Sequence, residues 1–279
     1  MSLLLIVVGT LSCFSYNING LKVHASTTKD VLIPITGRWG AAGFSNGRSV
    51  GMYNQTTSTF IFPNSYTFQY GTPNSGLIPI AGDWTNKGYD SVGLYNPATG
   101  QFFLKNSNTT GFADITFTFG NPNMIPIAGD WLGTGYYGVG VYNPANGQFA
   151  LKYSNTTGYA DNTFTFGSPN MLPVVGKWET GLNGAPKLND TIGVYNPANG
   201  QYFLRNSNTT GYADKTITFI PNVSLNSVGG YPYYQPLRGN YEREDGKTTP
   251  LLYSYINSTF YIRYSMISGP EEYKFTFLY

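Results

Sequence analysis

Internal repetition constrains this chain more than any other feature. Residues 78–124 read IPIAGDWTNKGYDSVGLYNPATGQFFLKNSNTTGFADITFTFGNPNM, and residues 125–171 read IPIAGDWLGTGYYGVGVYNPANGQFALKYSNTTGYADNTFTFGSPNM; the two align without a gap at a period of 47 residues. A third copy begins at Leu172 (LPVVGKW), carries an insertion around residues 182–188, and resumes as TIGVYNPANGQYFLRNSNTTGYADKTITF. A shortened copy runs from Leu32 (LIPITGRW) to near Pro73, and a diverged one ends the chain, with QPLRGNY at 235–241 in the place of IPIAGDW. About five such units restrict the fold to architectures in which each unit is buried against its neighbours.

Each unit alternates as short strands do. In the second, Ile78 and Ile80 precede Gly82, then come Val92 and Leu94, then Phe102 and Leu104, then Ile115, Phe117 and Phe119 interleaved with Thr116 and Thr118. Between the second and third segments, Asn96-Pro97-Ala98-Thr99-Gly100 and its copies at Asn143 and Asn196 fit a hairpin in which Pro sets φ and Gly takes the left-handed position. No stretch has helical periodicity. Four strands per unit with a period in the forties predict an all-β fold, a five-bladed β-propeller of four-stranded blades with an apolar N-terminal extension. A β-solenoid is the rival architecture, with coils that are usually shorter. The expected division is an arm or leader over residues 1–30 and a propeller over 31–279, with blades near 32–77, 78–124, 125–171, 172–234 and 235–279. Trp39, Trp84, Trp131 and Trp178 share one repeat position, which Tyr241 takes in the last unit, so these rings read as inter-blade packing rather than as a ligand site.

Composition removes several classes of function. Charged residues are 11% of the chain and the net charge is +2, and there is no run of Lys or Arg to neutralise phosphates, so no nucleic-acid partner is expected. Cys13 and His24 are the one cysteine and the one histidine, which rules out an internal disulfide or a Cys/His metal cluster and leaves a Ser or Cys nucleophile without a histidine base in the repeats. Asp114, Asp161 and Asp214 could in form supply a glycosidase-type carboxylate pair. Their recurrence in every central unit instead reads as a turn residue that accepts backbone hydrogen bonds. The chain is expected not to be an enzyme.

The N-terminal run from Ser2 to Leu11 is too short to span a bilayer, which takes about 20 residues, so no transmembrane segment is expected. Its length suits the apolar core of a secretory leader, but Lys and Arg are missing ahead of it. If it stays attached, Leu3, Leu4, Leu5, Ile6, Val7 and Val8 must be buried, either on their own propeller or by strand addition to a neighbouring copy, which would link subunits into a filament.

The pattern GDW, a short Gly-containing loop, VGLYNP, GQFFLKNSNTTG and FTFG resembles the FG-GAP and VCBS-type propeller repeats, over roughly residues 32–279. The resemblance implies an extracellular or cell-surface protein used in adhesion, carbohydrate contact or spacing, and Ca²⁺ in the loop after the first strand of a blade. The Ca²⁺ candidates are Asp83 and Asp90, but Thr85 and Lys87 stand where further oxygen ligands belong, and no cofactor is expected. Asn54, Asn108, Asn155, Asn189, Asn208, Asn222 and Asn257 head N-x-Ser/Thr sequons; those at 108, 155 and 208 share one hairpin and those at 54 and 257 lie near another, and both are read as exposed turns fit to carry N-linked glycans. Two functions follow as expectations. The first is a glycosylated structural subunit that associates with itself through its N-terminal arm. The second is an adhesion or carbohydrate-binding module that uses loop tyrosines such as Tyr136 and Tyr137.

Overall fold

The computed structural model describes residues 13–18, 21–26, 30–39, 49–179, 188–219, 234–239 and 248–277, the first two as backbone alone. Five four-stranded antiparallel sheets form a ring, a five-bladed β-propeller. The blades are β3 (Leu32–Gly37), β4 (Ser49–Asn54), β5 (Thr59–Ile61) and β6 (Thr67–Gln69); β7 (Ile78–Gly82), β8 (Ser91–Asn96), β9 (Gln101–Leu104) and β10 (Ile115–Thr118); β11 (Ile125–Gly129), β12 (Gly138–Asn143), β13 (Gln148–Leu151) and β14 (Asn162–Thr165); β15 (Leu172–Gly176), β16 (Thr191–Asn196), β17 (Gln201–Leu204) and β18 (Lys215–Thr218); and β19 (Tyr234–Arg238), β20 (Pro250–Ser254), β21 (Thr259–Ile262) and β22 (Tyr273–Thr276). Ahead of them β1 (Cys13–Ile18) and β2 (Leu21–Ser26) pair as a two-stranded sheet of their own.

The strands of a blade follow chain order from the axis outward. The first strands meet around the axis, β3 with β7, β7 with β11, β11 with β15, β15 with β19, and β19 with β3. Each blade is one continuous stretch of chain, so among the described residues no strand from one end of the chain completes the blade at the other, and the last blade packs on the first. Val50 and Met52 of the first blade share a core with Leu251, Tyr253, Phe260 and Ile262 of the fifth. The other four apolar cores also lie between successive blades. Burial on both faces of every sheet explains why a chain with so few charges needs no second layer.

The expected alternation supplies the ladders inside the blades. Tyr95 faces Phe102 (4.6 Å between ring centroids) and Phe102 stacks on Phe117 (5.3 Å), across β8, β9 and β10. The same trio is Tyr53, Phe60 and Phe68 in the first blade, Tyr142, Phe149 and Phe164 in the third, and Tyr253, Phe260 and Phe275 in the fifth. The fourth blade keeps Tyr195 and Tyr202 and ends on Ile217.

The tryptophans are buried, and each indole N–H donates to a carbonyl of the second strand of its own blade: Trp39 to Ser49, Trp84 to Val92, Trp131 to Val139 and Trp178 to Ile192. The glycine two residues earlier makes room for the ring, since a Cβ on Gly82 or Gly129 would sit 2.7 Å from the indole. Trp84 packs with Tyr137, Val139 and Val141 of the next blade, the inter-blade role read from the sequence. Tyr241 and the arm residues Leu3–Val8 lie outside the described residues.

A candidate binding face

Antiparallel order brings the loop between the first and second strands and the hairpin between the third and fourth to the same end of every blade. Short polar contacts fix both. In the second blade Asp83 accepts from Lys87 N (2.9 Å) through Oδ1 and from Gly88 N (2.6 Å) through Oδ2; in the third, Asp130 accepts likewise from Thr134 N and Gly135 N. The aspartate of GDW is therefore the organiser of its own loop.

A second device clasps neighbouring blades. Asp90 N donates to Arg38 O while Asp90 Oδ2 accepts from Arg38 N (2.9 Å). Asp190 repeats this on Asp130, and Thr248 repeats it on Lys177 through its hydroxyl. These residues lie where the second strand begins, close to the axis. There the fifth blade sends in Arg238, which forms a two-point ion pair with fully buried Asp190 (2.6 and 2.8 Å) and lies 5.5 Å from the ring centre of Tyr137. Burial alone would lower the Arg238 pKa; attraction to Asp190, with Tyr137 and Asp90 adding to it, outweighs this and holds the guanidinium above its ordinary range.

The outer hairpins are built around an inward-turned cation. Lys105 and Lys152 are buried and donate from Nζ to Phe112 O and Tyr159 O, each at 3.0 Å. Arg205 donates to Thr209 O, Thr210 O and Tyr212 O in the fourth blade, and Arg263 to Ile267 O, Ser268 O and Pro270 O in the fifth. The neck of each hairpin is closed by a carboxylate that accepts a backbone N–H: Asp114 from Asn106, Asp161 from Tyr153, Asp214 from Asn206 and Glu272 from Tyr264. The recurring aspartates therefore do the turn work read from the sequence.

With the backbone pinned from inside, one aromatic side chain points out of each of the second, third and fourth blades' hairpins. Phe112, Tyr159 and Tyr212 are 96%, 96% and 95% exposed at the same position of three successive blades. Each follows a glycine in a positive-φ conformation, Gly111 (φ 132), Gly158 (φ 142) and Gly211 (φ 151), that reverses the chain so the carbonyl faces the cation and the ring faces solvent. The fifth blade has Pro270 at this position, and in the first a short 3-10 turn, Pro63–Ser65, replaces the hairpin. Leu132 and Leu188, also exposed, sit in the inner loops of the same face.

This geometry corrects several expectations. Tyr137 is buried in the core and Tyr136 is half-buried with its hydroxyl accepting from Asn155, so neither is a free loop ring. The aromatics that are presented were legible as the Phe or Tyr of the recurring Gly-Phe/Tyr-Ala-Asp, which falls outside the strand alternation. The sequon asparagines 108, 155 and 208 do not sit on open turns either. Their Nδ2 atoms, where a glycan would attach, donate to Asp90 O (3.0 Å), Tyr137 O (3.0 Å) and Asp190 O (3.1 Å), and Asn155 is only 6% exposed. The third residue of the sequon is also occupied: Thr157 Oγ1 accepts from Thr118 N and Thr210 Oγ1 from Thr165 N, each capping the outer edge of the preceding blade. Asn54 is buried with Oδ1 accepting from Thr56 N and Thr57 N; Asn189 is half-buried, Asn257 is exposed with Nδ2 on Tyr261, and Asn222 lies outside the described residues.

The Ca²⁺ candidates do not fit the ion. Asp83 has both oxygens engaged by its own loop, Asp90 Oδ2 accepts from Arg38 N, and Ca²⁺ requires six to eight oxygens. Among the described residues no three His, Cys, Asp or Glu side chains converge as a metal site, and no helix is long and apolar enough to cross a membrane. Comparison of the chain with protein-family models and with curated protein sequences gives no match.

Proposed function

We propose that this protein is a non-catalytic extracellular binding module that engages its partner through the outer rim of one face. The observation that carries this reading is the trio Phe112, Tyr159 and Tyr212, fully solvent-exposed rings on hairpins held rigid from within. Exposed rings on a preorganised backbone lose little conformational freedom on binding, and that is the economy of a recognition surface. The FG-GAP/VCBS-like pattern of the repeats supports an extracellular setting. Asp90, Asp114, Asp161, Asp190, Asp214 and Glu272 are taken up in loop necks and blade clasps, which supports a role without catalysis.

The test is adherence of fluorescently labelled protein to intact cells of its source. Wild type is retained; the variant with Phe112, Tyr159 and Tyr212 all changed to Ala, folded by circular dichroism, is not. Equal retention of the two overturns the reading.

A second reading, in which Leu3–Val8 joins copies into filaments, has one feature in its favour: the residues that follow this segment form the separate β1–β2 sheet rather than part of a blade. Leu5→Asp with Val7→Asp in the full chain should then abolish fibres seen by electron microscopy, and fibres that persist unchanged dispose of it.

A further inference from the structure

We infer that the three exposed rings are equivalent subsites for a neutral polysaccharide, each stacking on one sugar unit of a repeating chain. This deepens the binding-face reading and rests on it.

The property common to the three positions is a flat apolar ring. Phe112 has no hydroxyl, whereas Tyr159 and Tyr212 do, so the shared contact is the ring face rather than a phenolic hydrogen bond. The C–H face of a sugar is the apolar surface that such a ring covers, and the hydroxyls around it need polar partners. Hydroxyl pairs stand on each hairpin just ahead of the ring: Ser107 with Thr109 (3.0 Å) and Ser154 with Thr156 (3.1 Å) are exposed, whereas in the pair Ser207 with Thr209 (2.9 Å) Ser207 is half-buried and Thr209 Oγ1 also accepts from Arg205.

Charge selects among ligands that stack. A nucleic-acid strand also stacks on aromatic rings but needs cations along its phosphates. The hairpin cations Lys105, Lys152 and Arg205 instead point inward onto backbone carbonyls, and the whole chain carries only +2. These three cations are therefore not presented to an anionic polymer. A protein partner would favour a continuous apolar patch. Here the rings lie on three separate blades, each between Gly and Ala in sequence.

Repetition then selects a polymer over a single sugar. Three like subsites on successive blades engage a repeating chain together, so weak single contacts multiply into useful affinity.

Affinity electrophoresis through gels containing mixed-linkage β-glucan, galactomannan or xyloglucan, with sedimentation on colloidal chitin, tests the inference. Wild type should be retained by at least one of these, with retention little changed between low and high salt. Loss of one ring to Ala should weaken retention roughly tenfold, and loss of all three should abolish it. Tyr159→Phe should retain affinity and Tyr159→Leu should not, since a leucine keeps apolar area but has no flat face. If no polysaccharide retains wild type while the triple variant still loses its adherence to cells, or loses sedimentation with zwitterionic lipid vesicles, the carbohydrate assignment fails and the binding face stands. If the triple variant behaves as wild type in every assay, both fail.

Discussion

At the scale of single residues, the repeated motif is a set of hydrogen-bonding assignments. The asparagine of Asn-x-Thr ties the outer hairpin to the start of the second strand, and the threonine caps a neighbour's edge. Asn155→Ala removes a buried donor and leaves Tyr137 O short of a partner, and should lower unfolding free energy by about 1–3 kcal/mol in urea titrations. For the same reason, peptide mass spectrometry of protein expressed in a glycosylating host should find Asn155 bare, because a glycan on Nδ2 and burial of that atom exclude each other. A left-handed residue gives a change of opposite sign. Gly100, Gly147 and Gly200 take positive φ in the Asn-Pro turn, but Ser258 holds the same position at φ 53 in the fifth blade. Ser258→Gly should relieve that strain and raise stability by about 1 kcal/mol, read as a shift in urea midpoint.

At the scale of elements, the blade is specified by alternation, and its fit to the next blade by the Gly-x-Trp step. The alternation was legible in the central units: Phe102 and Phe117 were placed on strands by period alone, and they form one ladder with Tyr95. What the period could not give is which loop aromatics stay outside. Tyr137 and Tyr159 both stand in polar, Gly-containing loops, yet the first is core and the second is bare, because one packs against the preceding blade and the other stands at a hairpin tip on the rim. The Gly-x-Trp step is open to a direct test. Gly129→Ala would place a methyl 2.7 Å from the Trp131 ring and should destabilise by about 1–3 kcal/mol, with a changed near-UV dichroism from the displaced indole. An unchanged urea midpoint and spectrum would mean that the ring has another place to go.

At the scale of the molecule, the ring is closed by the core between the fifth and first blades, and near the axis Arg238 ties the fifth blade to Asp190 of the fourth. Arg238→Met alone leaves a buried carboxylate with Asp130 N as its remaining donor and should cost about 3–5 kcal/mol. Adding Asp190→Asn removes the stranded charge and keeps an acceptor for Asp130 N, so the double variant should recover most of that loss; a strictly additive pair would contradict the account. Alkali probes the same cores. Burial pushes the Tyr95 and Tyr142 hydroxyls up to about 12 from 10. The folded state therefore holds its protons more tightly than the unfolded state, and the stability that this linkage supplies is intact below pH 10 and is lost as pH rises from 10 towards 12. Urea midpoints measured across that range should fall, with phenolate absorbance rising as the protein unfolds.

The sequence alone determined the number of blades, the strands within them and the burial of the tryptophans, because each is a matter of period, and a period is written locally in every copy. Beyond the turn aspartates, only the tertiary structure decided what the polar residues of the repeat do. Asn155 and Asp83 look like surface chemistry in a linear reading, as glycan carrier and metal ligand. Each is instead turned onto backbone groups of its own loop or blade. A polar side chain finds its partner through three-dimensional proximity, which for Asp190 and Arg238 joins residues 48 apart in the chain, and no one-dimensional spacing records that.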